Sequence, residues 1–370
     1  MGKHQKHIKL TLRDNDNFAP NEIAFVGTKC NEVSNLVAKV SEKLAKYKLA
    51  YFDASHTKGE GKQIVEKFTF NPNGSLVVNL NSDINKFNQR VQFSQFDYVF
   101  INGNHYQGAK QILVLDKDKE ASVLKRLDQL TNIQFVIKLT DDVDFFEFLE
   151  KKNPQIKNLK CYQLSEIDEI TNHIENLIQE KIAPIQGLVL AGGKSTRMGA
   201  DKGTLDFYGK NQRDFAIDLL EKNHLKTYLS VREEQEIQIE NKITDKFIGL
   251  GPFGAICSAF QFNPNVAWLV LATDVPFVDD KVIQQLLKYR NPSKAATTIK
   301  GKGKEFPEPL VTIWEPKSYT LLLNYLAQGY SCPRKVLINT DTEIVEVEDD
   351  LIRNINTPEE FIEAKKEINE

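Results

Sequence analysis

The 370-residue chain is poor in several things, and each shortage closes off a class of protein. Cysteine occurs four times, as Cys30, Cys161, Cys257 and Cys332, far apart and never as CxxC. That spacing argues against a zinc site or a disulfide framework and for free thiols in a reducing compartment. The six histidines are equally scattered, with no HExxH or similar metal-binding pair. No apolar run exceeds the seven residues from Val266 to Ala272, whereas a bilayer needs about 20. The basic opening MGKHQKHIKL has no apolar segment behind it, so a secretory signal is not expected. Charge of one sign is missing too: 48 Lys and Arg oppose 51 Asp and Glu, a net −3, which speaks against a general nucleic-acid binder. These absences point to a cytoplasmic protein with neither membrane nor nucleic acid as partner.

With 41% hydrophobic and 27% charged residues, the composition is that of a soluble globular protein. The length exceeds what one core usually serves, so two domains are expected. Short apolar strands alternate with helical patterns, which implies α/β units on a largely parallel sheet. In the first half the strands are read at Ile23 to Val26, Leu49 to Phe52, Ser75 to Leu80, Tyr98 to Ile101, Gln111 to Leu115 and Phe135 to Leu139. Val33, Leu36, Val37 and Val40 mark a helix after the first strand, and Ile167, Ile170, Ile174 and Ile178 mark one from Ser165 to Glu180. Pro184 ends that second helix. The domain boundary is therefore set near residue 183, giving domains 1–182 and 183–370. Beyond it, strands are read at Ile185 to Leu190, Leu229 to Arg232, Trp268 to Ala272, Ala295 to Ile299, Pro309 to Trp314, Val336 to Ile338 and Glu343 to Val347. Thr357-Pro358-Glu359-Glu360 opens a last helix with a capping threonine, proline at the first position and acids in the first turn.

The informative segment is LAGGKSTRMGADKGTL, from Leu190 to Leu205. A strand runs into Gly192-Gly193, where the bare backbone can approach a phosphate and donate its N–H groups. Arg197 can grip phosphate oxygens in bidentate fashion, and Lys202 adds a mobile positive charge. The loop is neither GxxxxGK[ST] nor GxGxxG, so Walker and dinucleotide sites do not fit. Taken alone, the glycines suit a tight strand-to-helix turn equally well.

The segment closely resembles the signature of the MobA-like nucleotidyltransferases, the molybdenum cofactor guanylyltransferases. The likeness runs through the second half in order: Asp245, then Gly251-Pro252-Phe253-Gly254 for the family's GPLxG, and Thr273-Asp274-Val275-Pro276-Phe277 for its CDxPF. Ser331-Cys332-Pro333-Arg334-Lys335 and Asn354-Ile355-Asn356-Thr357-Pro358 follow for its basic segment and its NxNTPEE ending. The resemblance implies a Rossmann-like domain of the nucleotide-diphospho-sugar-transferase type. It implies transfer of GMP from GTP to the terminal phosphate of molybdopterin or its molybdenum form, with loss of pyrophosphate and Mg²⁺ as cofactor. Arg197, Lys202 and Asp274 would then be catalytic, with Asp274 holding the metal. Leu190, Ala191, Gly192, Gly193, Lys202, Asp245, Gly251 and Pro252 would bind nucleotide, and Arg334, Lys335, Asn354 and Asn356 the pterin. Arg232 resembles a family arginine. LAGG and GPFG match the guanine-specific pattern, with Phe253 where leucine is usual. As a bare residue, Asp274 also fits a turn or capping aspartate ahead of Pro276, a reading that would leave the ordered motif set unexplained.

The first half resembles, more weakly, the MobB-type adapter, a P-loop domain. The likeness rests on Ile23 to Gly27 and on Asp97 to Gly103. Counted in Walker register from Gly27, however, the second glycine is Glu32 and the lysine is Val33, with only Ser34 retained; Asn102 stands where the family has glutamate. A degenerate, non-GTPase scaffold is expected, with partners among proteins of molybdopterin synthesis and insertion and the apo-molybdoenzymes. Two other readings stay open: a cytidylyltransferase or other transferase acting on a different phosphorylated acceptor, and a non-catalytic molybdenum cofactor delivery protein.

Overall fold

The computed structural model describes residues 9–54, 67–70, 76–79, 85–193 and 202–369, with 67–70, 76–79 and 202 as backbone alone. Two compact units are formed, one from Asn15–Lys181 and one from Ile182–Glu370 together with the N-terminal residues 9–14. Within the second unit the N-terminal segment is tied down by polar contacts: Asp14 N–H donates to Asn265 Oδ1 (2.8 Å), and the Arg13 guanidinium to Pro316 O (2.9 Å).

The first unit contains β1 (Glu22–Val26), α1 (Cys30–Lys43), β2 (Leu49–Phe52), β3 (Lys67–Phe70), β4 (Leu76–Asn79), α2 (Lys86–Phe93), β5 (Tyr98–Asn102) and β6 (Gln111–Leu115). It continues with α3 (Glu120–Lys125), β7 (Ile133–Lys138), α4 (Glu147–Lys152), β8 (Cys161–Gln163) and α5 (Ile167–Gln179). The main sheet runs β2-β5-β1-β6-β7-β8 with every pair parallel. Parallel neighbours need crossover connections, so helices cover the sheet and its central strands β1, β5 and β6 are buried throughout. The apolar stripes of α1 and α5 share one core, with Val33, Val37, Ile170 and Ile174 against Phe25 and Phe100. The strand expected at Ser75 to Leu80 is β4, and it pairs antiparallel with β3, outside the main sheet.

The second unit contains β9 (Ile185–Leu190), α6 (Gln212–Lys222), β10 (Thr227–Val231), β11 (Lys242–Thr244), α7 (Pro252–Phe262), β12 (Ala267–Ala272) and α8 (Asp280–Lys288). Then come β13 (Ala296–Gly301), β14 (Glu308–Trp314), α9 (Ser318–Ala327), α10 (Pro333–Ile338), β15 (Thr342–Val347) and α11 (Pro358–Asn369). Its sheet runs β11-β10-β9-β12-β14-β13-β15. The first four strands are parallel, β14 is antiparallel to both neighbours, and β15 is parallel to β13. Helix α7 packs on one face, where Phe253, Ile256 and Phe260 meet Trp268 and Trp314. Helices α6 and α8 cover the other through Leu219, Leu220, Val282 and Ile283. Both units are thus three-layer α/β structures.

One expected strand is a helix. Val336 to Ile338 lies in α10, where Pro333 sits in the first turn and Val336 and Leu337 are buried in the core with Trp314. A three-residue apolar run carries no period that separates a strand from one helical turn, and the proline start signal decides it. The capping reading at Thr357 holds: its Oγ1 accepts from Glu360 N–H (3.3 Å), while Glu360 Oε2 accepts from Thr357 N–H (3.1 Å), a reciprocal box. Asn211, the position where the resembled family has proline, caps α6 by accepting from Asp214 N–H (2.9 Å).

Among the described residues no helix is long and apolar enough to cross a membrane. All four cysteines are free thiols.

A buried ion pair locks the start of the second unit. Arg290 Nε and one terminal nitrogen donate to the two oxygens of Glu315 at 2.7 and 2.8 Å, and the same terminal nitrogen reaches Ala183 O at 2.7 Å. Glu315 is 1% exposed. Removing one partner of such a pair leaves an uncompensated buried charge, so Glu315→Ala is expected to destabilise by about 3–5 kcal/mol in urea unfolding.

Candidate active site

Strand β9 lies between β10 and β12, and the chain leaves it first toward β10 and later returns on its other side as β12. This is a topological switch point, and in open α/β sheets the crevice at the carboxyl ends of such strands is where ligands bind. The crevice here holds a cavity of about 830 Å³. Leu190, Ala191, Gly192, Gly193, Asp245, Gly251, Pro252 and Asp274 all line it, and so does Asn356. Eight of the residues expected for nucleotide or metal therefore meet in one place. Arg197 lies outside the described residues, as does the side chain of Lys202.

Each wall has a local cause. In-register pairing of β9 with β12, Leu190 opposite Ala272, makes both strands end together. The glycine turn and Asp274 then emerge side by side. At Gly192 a Cβ would stand 3.4 Å from Asp245 Oδ2 and 3.5 Å from the Arg232 stem, so these side chains pack against bare backbone; nothing lies within 4 Å of such an atom at Gly193. Asp245 Oδ1 accepts from Ser230 Oγ (2.8 Å). Burial pushes the Asp245 carboxyl above its ordinary range, against the Ser230 hydrogen bond and the charge of Arg232. Arg232 Nε is buried and has no partner among the described residues.

Gly251 precedes α7 at φ 56°, a left-handed conformation in which glycine carries no Cβ penalty. Pro252 follows in the first turn, and Gly251, Pro252 and Ala255 bring the N-terminal end of α7 to the cavity. A helix N-terminus favours negative charge. Phe253 points the other way: it is fully buried in the core beneath α7 and does not line the cavity. The departure from leucine is thus a core substitution. Below Asp274, its carbonyl accepts from Ile355 N–H (2.7 Å), which brings the segment before α11 to the site and Asn356 to the cavity wall.

The four residues expected for the pterin separate. Asn356 joins the first cavity. Arg334 and Asn354 line a second cavity of about 450 Å³ with Lys304, Glu308 and Arg353. Asn354 Oδ1 is buried there without a partner among the described residues. Lys335 lines neither; it is exposed on α10, its ammonium 5.3 Å above the Tyr330 ring. At the end of β13, Lys300 pairs with Glu346 (3.1 Å) and Lys302 with Glu348, while Lys304 lines the second cavity.

Sequence reasoning missed Glu308. It opens β14, is 7% exposed, and faces Arg334 at 3.6 Å. Burial raises its carboxyl above the usual range; the Leu310 N–H and Arg334 oppose this, and the charge of Asp274 adds to it. The signal was a lone acid heading the apolar run Pro309 to Trp314.

The described residues between β1 and α1 do not form a Walker phosphate loop. Helix α1 already begins at Cys30, three residues before the Walker lysine position, and Val33 at that position is fully buried. Gly27 makes the turn at φ 115°, with the Val114 carbonyl 2.2 Å from where a Cβ would be. Lys29 turns away to Asp118 (3.1 Å).

Paired glycines, a helix N-terminus and a carboxylate converge at a switch point of an α/β sheet, the place where such sheets hold ligands. Residues 187–343, in the C-terminal half of the chain, match the MobA-like NTP transferase domain family. The chain is 32% identical over 183 residues to the molybdenum cofactor biosynthesis bifunctional protein of Synechocystis, a match covering 48% of this chain and 53% of that protein. It is 23% identical to a probable molybdenum cofactor guanylyltransferase of Flavobacterium johnsoniae, over 47% of this chain and 92% of the relative. Among solved structures, molybdopterin-guanine biosynthesis protein B (mobB) aligns with 43% of this chain and 99% of its own length, at 16% identity and a TM-score of 0.31.

The raised carboxyl of Glu308 has a consequence for stability. A group whose folded pKa exceeds its unfolded one adds stability at low pH and loses it as pH rises through the folded value. Glu308→Gln, neutral throughout, should melt above the wild type at pH 8, and the gap should close as pH falls toward about 4.

Proposed function

We propose that the chain transfers a guanylyl group from GTP to the terminal phosphate of molybdopterin, or of its molybdenum-loaded form. An acceptor phosphate oxygen forms a bond to the α-phosphorus of GTP. The bond to the β-phosphate oxygen breaks, and pyrophosphate leaves. The observation that carries this reading is the meeting of Gly192, Gly193, Asp245, Gly251, Asp274 and Asn356 on one cavity. The names of the relatives support the substrate.

Little covalent chemistry is asked of the protein; it positions two anions and offsets charge on the phosphorus oxygens. The Gly192-Gly193 turn and the N-terminus of α7 supply backbone donors for the triphosphate. Arg197 and Lys202 serve as its cationic clamp. The Asp274 carboxylate and Asn356 carboxamide are hard oxygen donors on one wall, which suits Mg²⁺. Such an ion is usually held by one or two carboxylates together with substrate phosphates and waters, and Asp274 would be the carboxylate here. When bound, Mg²⁺ neutralises and aligns the phosphates. Guanine is favoured over cytosine by the LAGG and GPFG loops, and Phe253 leaves the cavity wall unchanged because its side chain is in the core. Arg334 and Asn354 are assigned to the pterin side, with the second cavity as its seat, and Lys335 lies on α10 outside that cavity. The free thiols suit a reducing cytoplasm.

Incubation with Mg²⁺, molybdenum-loaded molybdopterin and either GTP or CTP tests the reading, with product identified by mass. A guanine dinucleotide is expected, and Asp274→Asn should lower its rate by about two to three orders of magnitude while the fold is retained. A cytosine product would reverse the base assignment, and no product with either would favour a delivery protein.

The first unit acts, on this reading, as a scaffold that presents the transferase or docks proteins of cofactor synthesis and insertion. Titration calorimetry of the full chain should accordingly find one GTP site. Two sites would return nucleotide binding to residues 15–181.

A further inference from the structure

In the first unit the carboxyl ends of β1, β2 and β5 carry a set of reactive side chains that the proposed transferase chemistry does not use. Cys30 is the first residue of the 14-residue helix α1, and its Sγ lies 3.2 Å from His105 Nε2. The same nitrogen faces Asp53 Oδ1 at 3.9 Å. The other Asp53 oxygen accepts from the Tyr51 hydroxyl (2.9 Å), whose proton is held more tightly than usual by burial and by that carboxylate. Asn104 Nδ2 approaches the sulfur at 3.7 Å and donates to Thr28 O at 2.9 Å. Asn102, fully buried at the end of β5, fixes this turn: its Oδ1 accepts from Asn104 N–H (3.1 Å).

A thiol within reach of an imidazole, beside a carboxylate, is the arrangement of an activated nucleophile. The α1 N-terminus receives no side-chain cap, and helix N-termini favour negative charge on a sulfur at that position. The other cysteines differ. Cys257 is buried, its thiol pushed up to about 12 by burial, and burial also raises Cys161. Cys332 is exposed at the start of α10.

We propose that Cys30 is a nucleophilic thiol that takes up low-molecular-weight disulfides by exchange, with His105 as its base. Nε2 accepts the thiol proton as Sγ attacks one sulfur of the disulfide. The S–S bond of the reagent breaks, a Cys30 mixed disulfide forms, and the departing thiolate receives the proton from His105. Cys30 is oxidised and half of the reagent is reduced, so no other oxidant is needed. Asp53 supports the imidazolium by its charge. The polar surround of Asp53, Asn104 and Thr28 suits a hydrophilic disulfide over an acyl chain.

The full chain at pH 7 is exposed to oxidised glutathione and the modified cysteines are followed by peptide mass mapping. Cys30 is expected to react at least about tenfold faster than Cys332, the control for simple exposure. His105→Gln, with its fold checked by circular dichroism, is expected to bring Cys30 down to the rate of Cys332. Equal rates in the wild type, or an unchanged Cys30 rate in His105→Gln, would overturn the proposal. Should that variant unfold, the wild-type ratio of Cys30 to Cys332, measured also with iodoacetamide, decides alone, and a ratio near one overturns it.

Discussion

The parallel pairing of β9 with β12 is the constraint on which the candidate active site rests. With Leu190 opposite Ala272, the two strands leave the sheet at the same level. A slip of one residue would turn each strand's side chains to the opposite face and misplace either the glycine turn or Asp274. The pairing is protected by burial, since both faces of β12 are fully covered. Antiparallel β14 seals the far side of β12 and brings Glu308 to the wall of the second cavity. What is chemically active in this unit is therefore held by backbone hydrogen bonds and core packing, and little of it depends on surface ion pairs.

Much of this was legible in the sequence. Strands such as Tyr98 to Ile101 and Trp268 to Ala272 are near-continuous apolar runs, as strands covered on both faces must be. The residues that gather on the first cavity were legible because close backbone approach, carboxylates at strand ends and helix starts each demand particular residue types. The pterin side was less so. Arg334, Lys335, Asn354 and Asn356 are ordinary surface types, and only the fold separates Asn356 from Arg334 and Asn354 and leaves Lys335 outside. Glu308 was hidden because a single acid before an apolar strand reads as its solvated edge, whereas the antiparallel insertion of β14 buries it.

The first unit shows the opposite case, where a resemblance outlives its chemistry. The six-stranded parallel sheet and the glycine turn at Gly27 are in place, but the position that would carry a phosphate-binding lysine is a core valine. Reversing that change would put an ammonium among Phe25, Phe100 and Ile174, where burial of a charge is heavily disfavoured. The sheet is thus committed to its present helix start, and Cys30 occupies the first turn in its place.

The hydrogen bond from Ile355 N–H to the Asp274 carbonyl gives the second unit an order of assembly. On a ribosome, the glycine turn, β12 and Asp274 emerge well before residue 355 is made. At about 5–20 residues per second the interval is roughly 4–16 s. During that interval the sheet can form while the wall carrying Asn356 does not exist. A nascent chain stalled in between would hold Gly192-Gly193 and Asp274 yet lack the segment that carries Asn356. Completion of the first cavity is in this way deferred to chains whose translation has passed the α11 cap.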